Sequence, residues 1–171
     1  MASGIAKASL IFEHDPQRRE EFILRRVRAG RGSIPVGPGT WLWIRCYVGD
    51  VATAVLAAIA NPAASGQVLN IGEPVTRSML GWARQILAAA DHQARLVRVP
   101  DAVLPADLWV THGYPQHLLA DSRTAMDLLG WRPADPEQAI RRSVRWHLAH
   151  PPGGPEPGFA EDDRALAAAD G

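Results

Sequence analysis

The hydrophobic pattern switches repeatedly between a helical and an extended rhythm. Phe22, Ile23 and Val27 recur at helical spacing behind Asp15-Pro16, a cap followed by a proline suited to a first turn. Glu21 and Arg25 stand one turn apart and Gly30 offers a stop, so a helix is predicted over 16–29. Ser33 to Thr40 reads as a short extended piece turned by Gly37-Pro38-Gly39. Trp41 to Val48 is aromatic and branched and fits a strand. From Gly49-Asp50 a helix carries Val51, Val55 and Ile59, with Ala52 and Leu56, on a broad apolar face and stops at Asn61-Pro62.

Gln67 to Ile71 is a compact strand closed by Gly72, and Thr76 is placed to cap a helix bearing Met79, Ala83, Ile86, Leu87 and Ala90. Ala94 to Val99 suits a strand largely covered on both sides. Residues 100–120 look irregular. A helix from Asp121 to Leu129 is followed by Gly130, a left-handed cap, and Asp135-Pro136-Glu137-Gln138 opens a last helix carrying Ile140, Val144 and Leu148 to His150. Pro151 to Gly158 holds too much proline and glycine for regular structure. We therefore place a domain over 1–152 and a Pro/Gly-rich, then acidic, flexible tail over 153–171.

Composition narrows the function classes. The chain has 171 residues, enough for one domain or part of a larger one, and 18 Lys+Arg balance 18 Asp+Glu. Zero net charge argues against a nucleic-acid partner. The lone Cys46 cannot form an internal disulfide, and its place between Ile44 and Val48 suits a buried, inert thiol. No apolar run is long enough to span a bilayer and no signal-peptide pattern opens the chain, so a cytoplasmic protein without membrane partners is expected.

The order helix, strand, helix, strand, helix, strand, loop, helix, helix carries specific residues. They are Asp15-Pro16-Gln17-Arg18-Arg19, Tyr47-Val48-Gly49-Asp50-Val51-Ala52, Leu69-Asn70-Ile71-Gly72-Glu73-Pro74, Asp121-Ser122, Leu128-Leu129-Gly130-Trp131-Arg132-Pro133 and Ala139 to Trp146. From about residue 9 to 152 this sequence resembles the C-terminal, substrate-binding part of an extended short-chain dehydrogenase of the NAD-dependent epimerase/dehydratase family. The resemblance implies an α/β fold, a truncated Rossmann-like portion with short strands and about five helices. Asp50 is expected to cap its helix, and Gly72 to let the backbone pass close behind a strand end.

Two family features do not occur. No Gly-x-x-Gly-x-x-Gly turn follows a strand and opens a helix, and the family's Tyr-x-x-x-Lys pair has no counterpart because the only lysine is Lys7. The resemblance thus implies no bound cofactor for the isolated chain, with NAD or NADP entering only if a partner supplies the binding half. An arginine that meets a diphosphate in many nucleotide-sugar members falls at Trp43. Arg45 lies on the same strand face roughly 7 Å further along, which argues against a nucleotide-sugar ligand.

Candidate chemistry follows from these placements. Trp41, Trp43, Arg45 and Tyr47 share strand parity, an aromatic wall beside a cation that suits an aromatic or anionic small molecule, or a patch against which another domain packs. His112, Tyr114 and His117 form the best set for acid/base work, against the plainer reading of a loop packed on its own aromatic residues. The six histidines show no metal-ligand spacing, and His147 and His150 suit a helix C-terminus. The main reading is a small-molecule-binding protein derived from an epimerase/dehydratase, completing an enzyme as a homo-oligomer or with a partner chain. That partner reading predicts exposed apolar surface on Asn70-Ile71-Gly72 and on helix 50–60. The alternative is a stand-alone non-redox isomerase, cyclase or lyase of small-molecule or secondary metabolism.

Overall fold

The computed structural model describes residues 5–8, 10–13, 18–109 and 116–169. In chain order these form β1 (Ile5–Ala8), β2 (Leu10–Phe12), α1 (Glu21–Arg28), β3 (Ser33–Val36), β4 (Arg45–Tyr47) and α2 (Val48–Ala60). There follow β5 (Val68–Ile71), α3 (Met79–Ala89), β6 (Arg95–Arg98), α4 (Arg123–Leu129), α5 (Pro136–Ala149) and α6 (Ala160–Ala167). Among the described residues the strands pair only in twos, and each pair is parallel: β1 with β5, β2 with β4, and β3 with β6. Parallel pairing needs crossovers, and the intervening helices supply them.

Two apolar cores result. One joins α1, α3 and α5 to β3 through Ile23, Leu24, Ile34, Trp82, Ile86, Ile140 and Val144. Each such side chain contributes about 1.5–3 kcal/mol on burial. The second gathers Cys46, Ala54, Leu69, Ile71, Ala125 and Trp131 beneath α2 and α4. Gly130 turns the chain at φ 64°, a region costly for a side chain with a Cβ, and so brings Trp131 to 5 % exposure with its indole N–H donating to Thr53 Oγ1 at 3.1 Å. At Gly72 a Cβ would lie 2.5 Å from Ile44, so the close approach expected there is real.

Several local expectations change. The first helix begins at Glu21, where the amide of Glu21 meets the carbonyl of Arg18; Asp15 and Pro16 lie outside the described residues. The Trp41–Val48 strand shrinks to Arg45–Tyr47, because loop residues hold its first half: Leu118 bonds both Leu42 and Ile44. Ser78, and not Thr76, caps α3, its hydroxyl accepting from the Gly81 amide at 3.1 Å. Asp50 lies inside the first turn of α2 and accepts from the Ala134 amide at 2.8 Å, so it clamps the approach to α5 and does not cap its own helix. Asp135 caps α5 as the sequence indicates. Around β6 the cover is thinner than predicted, since Arg95 and Arg98 are exposed.

The largest correction concerns the C-terminal end. A wholly flexible tail was expected over 153–171, yet Ala160–Ala167 is a helix whose Ala165 is fully buried and whose Asp162 meets Arg26. Two of its acids answer arginines of α1 and its exit, Asp162 with Arg26 and Asp163 with Arg31, while Glu161 pairs with Arg164 of the same helix. The structure thus has six α-helices among the described residues, against about five expected.

Candidate functional site

One face of α1 and its approach presents Arg18, Glu21, Phe22, Arg25 and Arg28, residues three or four apart and hence stacked along one side of a helix. The other side carries Ile23 and Leu24 into the core, fully buried. The polar face borders a cleft of about 480 Å³. Trp43 and Trp82 form its aromatic part, Asp107 joins from a short 3-10 turn, and residues 152–157 form the opposite wall. Phe22 and Trp82 pack with ring centroids 5.4 Å apart.

The cleft is cationic but internally paired. Arg28 bonds Glu21 of its own helix and, at 2.7 Å through Nε, Glu156 of the opposite wall. Burial alone would lower its pKa, but these two carboxylates outweigh that effect and raise it. Arg25 bonds Asp107 at 2.9 Å and donates to the carbonyls of Pro157 and Gly158 at 3.1 and 3.2 Å. Asp107 in turn meets the fully buried Arg26 at 2.7 Å. Burial would push the Asp107 carboxyl up; hydrogen bonds and charge from Arg26, then Arg25, hold it below the usual carboxylate range.

Several donors are nevertheless left over. Arg25 Nε, Arg28 Nη1 and Trp82 Nε1, on residues that line the cleft, are buried without a hydrogen-bond acceptor, and Arg18 Nε lies 3.7 Å from Glu21 Oε2 in an ion pair too long for a hydrogen bond. Around the cleft the four arginines Arg18, Arg19, Arg25 and Arg28 stand against three carboxylates, Glu21, Asp107 and Glu156, so its lining carries an excess of positive charge.

The residues singled out from sequence are dispersed by the fold. Trp43 lines the cleft and donates its indole N–H to the Gln116 carbonyl at 3.1 Å. Trp41 instead packs against the His117 ring, with centroids 5.2 Å apart. Arg45 is 3 % exposed behind the cleft wall, bonded to Glu73 at 3.0 Å and to Gln85 at 3.1 Å, with its guanidinium 5.0 Å from the Trp82 ring centre. Burial, ahead of the mutual attraction, pushes the Glu73 carboxyl up and the Arg45 guanidinium down. Tyr47 is buried against Phe12, with Arg142 above its ring; burial and then a hydrogen bond with Glu13 push its phenol up to about 12. Only Arg45 and Tyr47 of the four fall within β4, and only Trp43 lines the cleft, so the single aromatic wall beside a cation does not form.

His112 and Tyr114 lie outside the described residues. His117 is exposed, and its Nδ1 accepts from the Leu42 amide at 3.0 Å. Cys46 is fully buried, and its thiol is pushed up to about 12 by burial first and by the nearby Asp50 and Glu73 carboxylates second. His147 is not a surface charge at a helix end: it is buried, with Nε2 3.4 Å from Glu20 Oε2, while Ser143 donates to Glu20 at 2.6 Å. Among the described residues no group of three or more His, Cys, Asp or Glu is placed to hold a metal ion. No helix there is long and apolar enough to cross a membrane.

The sequence reading missed the α1 arginines and the 152–157 wall. The signal available was the i, i+3, i+7, i+10 spacing of Arg18, Glu21, Arg25 and Arg28, a charged stripe along an otherwise core-facing helix. A dinucleotide cradle does not fit the residues present. Gly30-Arg31-Gly32 follows the end of α1, and Gly37-Pro38-Gly39 leads from β3 into the extended Trp41 segment, so neither opens a helix.

No protein-family profile and no curated protein matches this sequence. Solved structures do. The chain is similar to a dTDP-glucose 4,6-dehydratase from Bacillus anthracis in complex with NAD, at TM-score 0.66 and 16% identity over 85% of this chain and 44% of that one. It is similar to an epimerase from the methanogen Methanothermobacter thermautotrophicus, at TM-score 0.63 and 18% identity over 87% and 44%. A UDP-glucuronic acid 4-epimerase from Bacillus cereus, in complex with UDP-glucuronic acid and NAD, matches at TM-score 0.63 and 18% identity over 85% and 44%. The fold is therefore that of part of the Rossmann-like extended short-chain dehydrogenases, as the sequence motifs implied. This chain spans less than half the length of the structures it matches.

Proposed function

We propose that this chain is the substrate-binding portion of an epimerase/dehydratase-like protein, and that its cleft takes a small molecule carrying a phosphate or similar anion. The observation that carries the reading is the convergence of Arg18, Arg19, Arg25 and Arg28 with Trp43 and Trp82 around one 480 Å³ cleft. Guanidinium groups match planar and tetrahedral oxyanions through paired N–H donors, and Trp43 and Trp82 offer apolar surface to an attached ring. One similar structure, the Bacillus cereus enzyme, holds UDP-glucuronic acid, an anion of this general kind.

Hydride transfer belongs to residues outside this chain's described cleft. NAD would supply that chemistry when bound, but the glycine turns here do not form its cradle and the sequence has no Tyr-x-x-x-Lys pair. The role assigned to this chain is to bind and orient the anion and to exclude water around it. A partner chain or second copy completing the enzyme is supported by the exposed side of α2, where Val55, Leu56 and Ile59 are 39, 66 and 78% exposed. The other surface expected of a partner model does not qualify: Ile71 and Gly72 are buried.

The cleft chemistry favours binding over stand-alone isomerase, cyclase or lyase activity. Arg26 and Arg25 hold the Asp107 carboxyl low, which weakens it as a base, and Glu21 and Glu156 are both engaged by Arg28. Calorimetric titration with UDP-glucuronic acid, inorganic pyrophosphate and NAD at low and high salt tests the reading. We expect pyrophosphate to bind with an affinity that falls as salt rises, UDP-glucuronic acid to bind no more tightly than pyrophosphate because Trp43 stands where a diphosphate arginine would, and NAD not to bind stoichiometrically. Tight, stoichiometric NAD binding with no pyrophosphate binding overturns it.

A further inference from the structure

We propose that Glu156 is a built-in occupant of the cationic cleft, a carboxylate on the strap 152–157 that sits on Arg28 until an external anion displaces it. This rests on the anion-binding reading of the same cleft and adds its regulation.

The strap hangs between two fixed ends. Before it, the Arg18 guanidinium donates to the carbonyl of His150 at the end of α5. Beyond it, α6 is fastened by Asp162, whose two oxygens accept from Arg26 Nε and Nη2 at 2.6 and 2.7 Å, with both side chains nearly inaccessible. Arg26 and Asp162 are locked in the interior, and a buried pair of this kind does not exchange readily.

Between those ends the attachments are few. Arg28 holds Glu156 at 2.6–2.7 Å, and Arg25 holds the carbonyls of Pro157 and Gly158. Glu156 is the only charged side chain from Pro151 to Ala160, so it alone ties the strap to the cleft by charge. Its side chain is 36% exposed, against 17% for Arg28. Surface pairs of this exposure are weakly held, and a phosphate oxygen offers a guanidinium the same acceptor with more charge.

The other two cleft carboxylates are not exchangeable in this way. Glu21 shares a helix with Arg28, and Asp107 is fixed by the buried Arg26 as well as by Arg25. With four arginines and three carboxylates lining the cleft, release of Glu156 is the one local movement that adds net positive charge to it. An incoming anion would therefore both take the place of Glu156 and find a more cationic site.

The test uses the full chain, with inorganic pyrophosphate as the probe. We expect Glu156→Gln to bind pyrophosphate about fivefold more tightly than the unaltered chain, the largest gain a weak surface pair permits. Glu137→Gln, which removes a carboxylate on α5 outside the cleft, is expected to leave binding unchanged. Carboxyl-carbon NMR supplies a second readout: the glutamate resonance that disappears in Glu156→Gln should shift when pyrophosphate releases Glu156 from Arg28. Equal or weaker binding by Glu156→Gln, or a Glu156 carboxyl resonance that pyrophosphate leaves unmoved, overturns the displacement proposal and leaves the anion cleft standing. Binding by neither protein sinks the cleft reading itself and this inference with it.

Discussion

The α1 wall and the α2 face solve opposite problems with similar helices. On α1 the arginines are drawn inward, Arg26 to complete burial, and answered by carboxylates from distant segments: Asp107, Glu156 and Asp162. On α2 only Asp50 and Ala54 are buried, while Val55, Leu56 and Ile59 face outward with no described neighbour covering them. Charge taken from water must be matched by several acceptors, whereas apolar side chains tolerate exposure at little local cost. The first region is thus held together by charge pairs within the chain; the second leaves apolar side chains at the surface.

The comparison breaks first at Arg26. Replacing it by alanine leaves Asp162 buried without its cation, and we expect a loss of about 3–5 kcal/mol with detachment of α6, read by urea denaturation. A loss under about 1 kcal/mol would show that the wall is not held by this pair. Next comes Arg28→Gln, which removes a cleft cation and one tether of the strap. Pyrophosphate affinity should fall about tenfold or more and lose part of its salt dependence, as measured by calorimetry at two salt concentrations.

Acid separates the two regions further. The Asp107 carboxyl is held low in the folded state, so its contribution to stability is present above the ordinary carboxylate pKa and disappears as pH falls through the depressed folded value. The unaltered chain should therefore lose stability on acidification more steeply than Asp107→Asn, a difference visible in thermal melts between about pH 5 and pH 2. Identical pH profiles would remove Asp107 from the wall's support.

The α2 face should respond in the opposite sense. Leu56→Gln with Ile59→Gln is expected to change stability by less than about 0.5 kcal/mol, while weakening association with a second copy or partner, followed by sedimentation. A large drop in melting temperature would show that the face is covered within the chain. The smallest effect concerns Cys46. With its thiol pushed up to about 12, alkylation by iodoacetamide at pH 8 should be negligible until denaturant is added, and prompt labelling of the native chain would contradict the buried second core.

Legibility followed the range of the interactions. Asp135 capping α5 and Gly130 ending α4 depend on neighbours within a few residues or on backbone shape, and the sequence showed them. The motif order from Tyr47 to Trp146 likewise pointed to the dehydrogenase-like fold. The site was less legible. Of Trp41, Trp43, Arg45 and Tyr47, only Trp43 reaches the cleft, because period-two parity says which side chains share a face but not what lies beyond that face. Arg45 was expected beside a ligand and found Glu73 and Trp82.

Local pattern by itself determined the identity of most helices and strands and the absence of a glycine-rich dinucleotide turn. It did so because caps, periodicity and turn residues act over a few positions and leave a direct trace in the residue order. Tertiary structure alone decided that an acidic, alanine-rich end becomes α6, and that the arginines of α1 converge with Asp107 and Glu156 around a cleft. Arg26 and Asp162 are 136 residues apart. A charge pair at that separation forms only when the intervening core brings both ends together, and no local spacing records it.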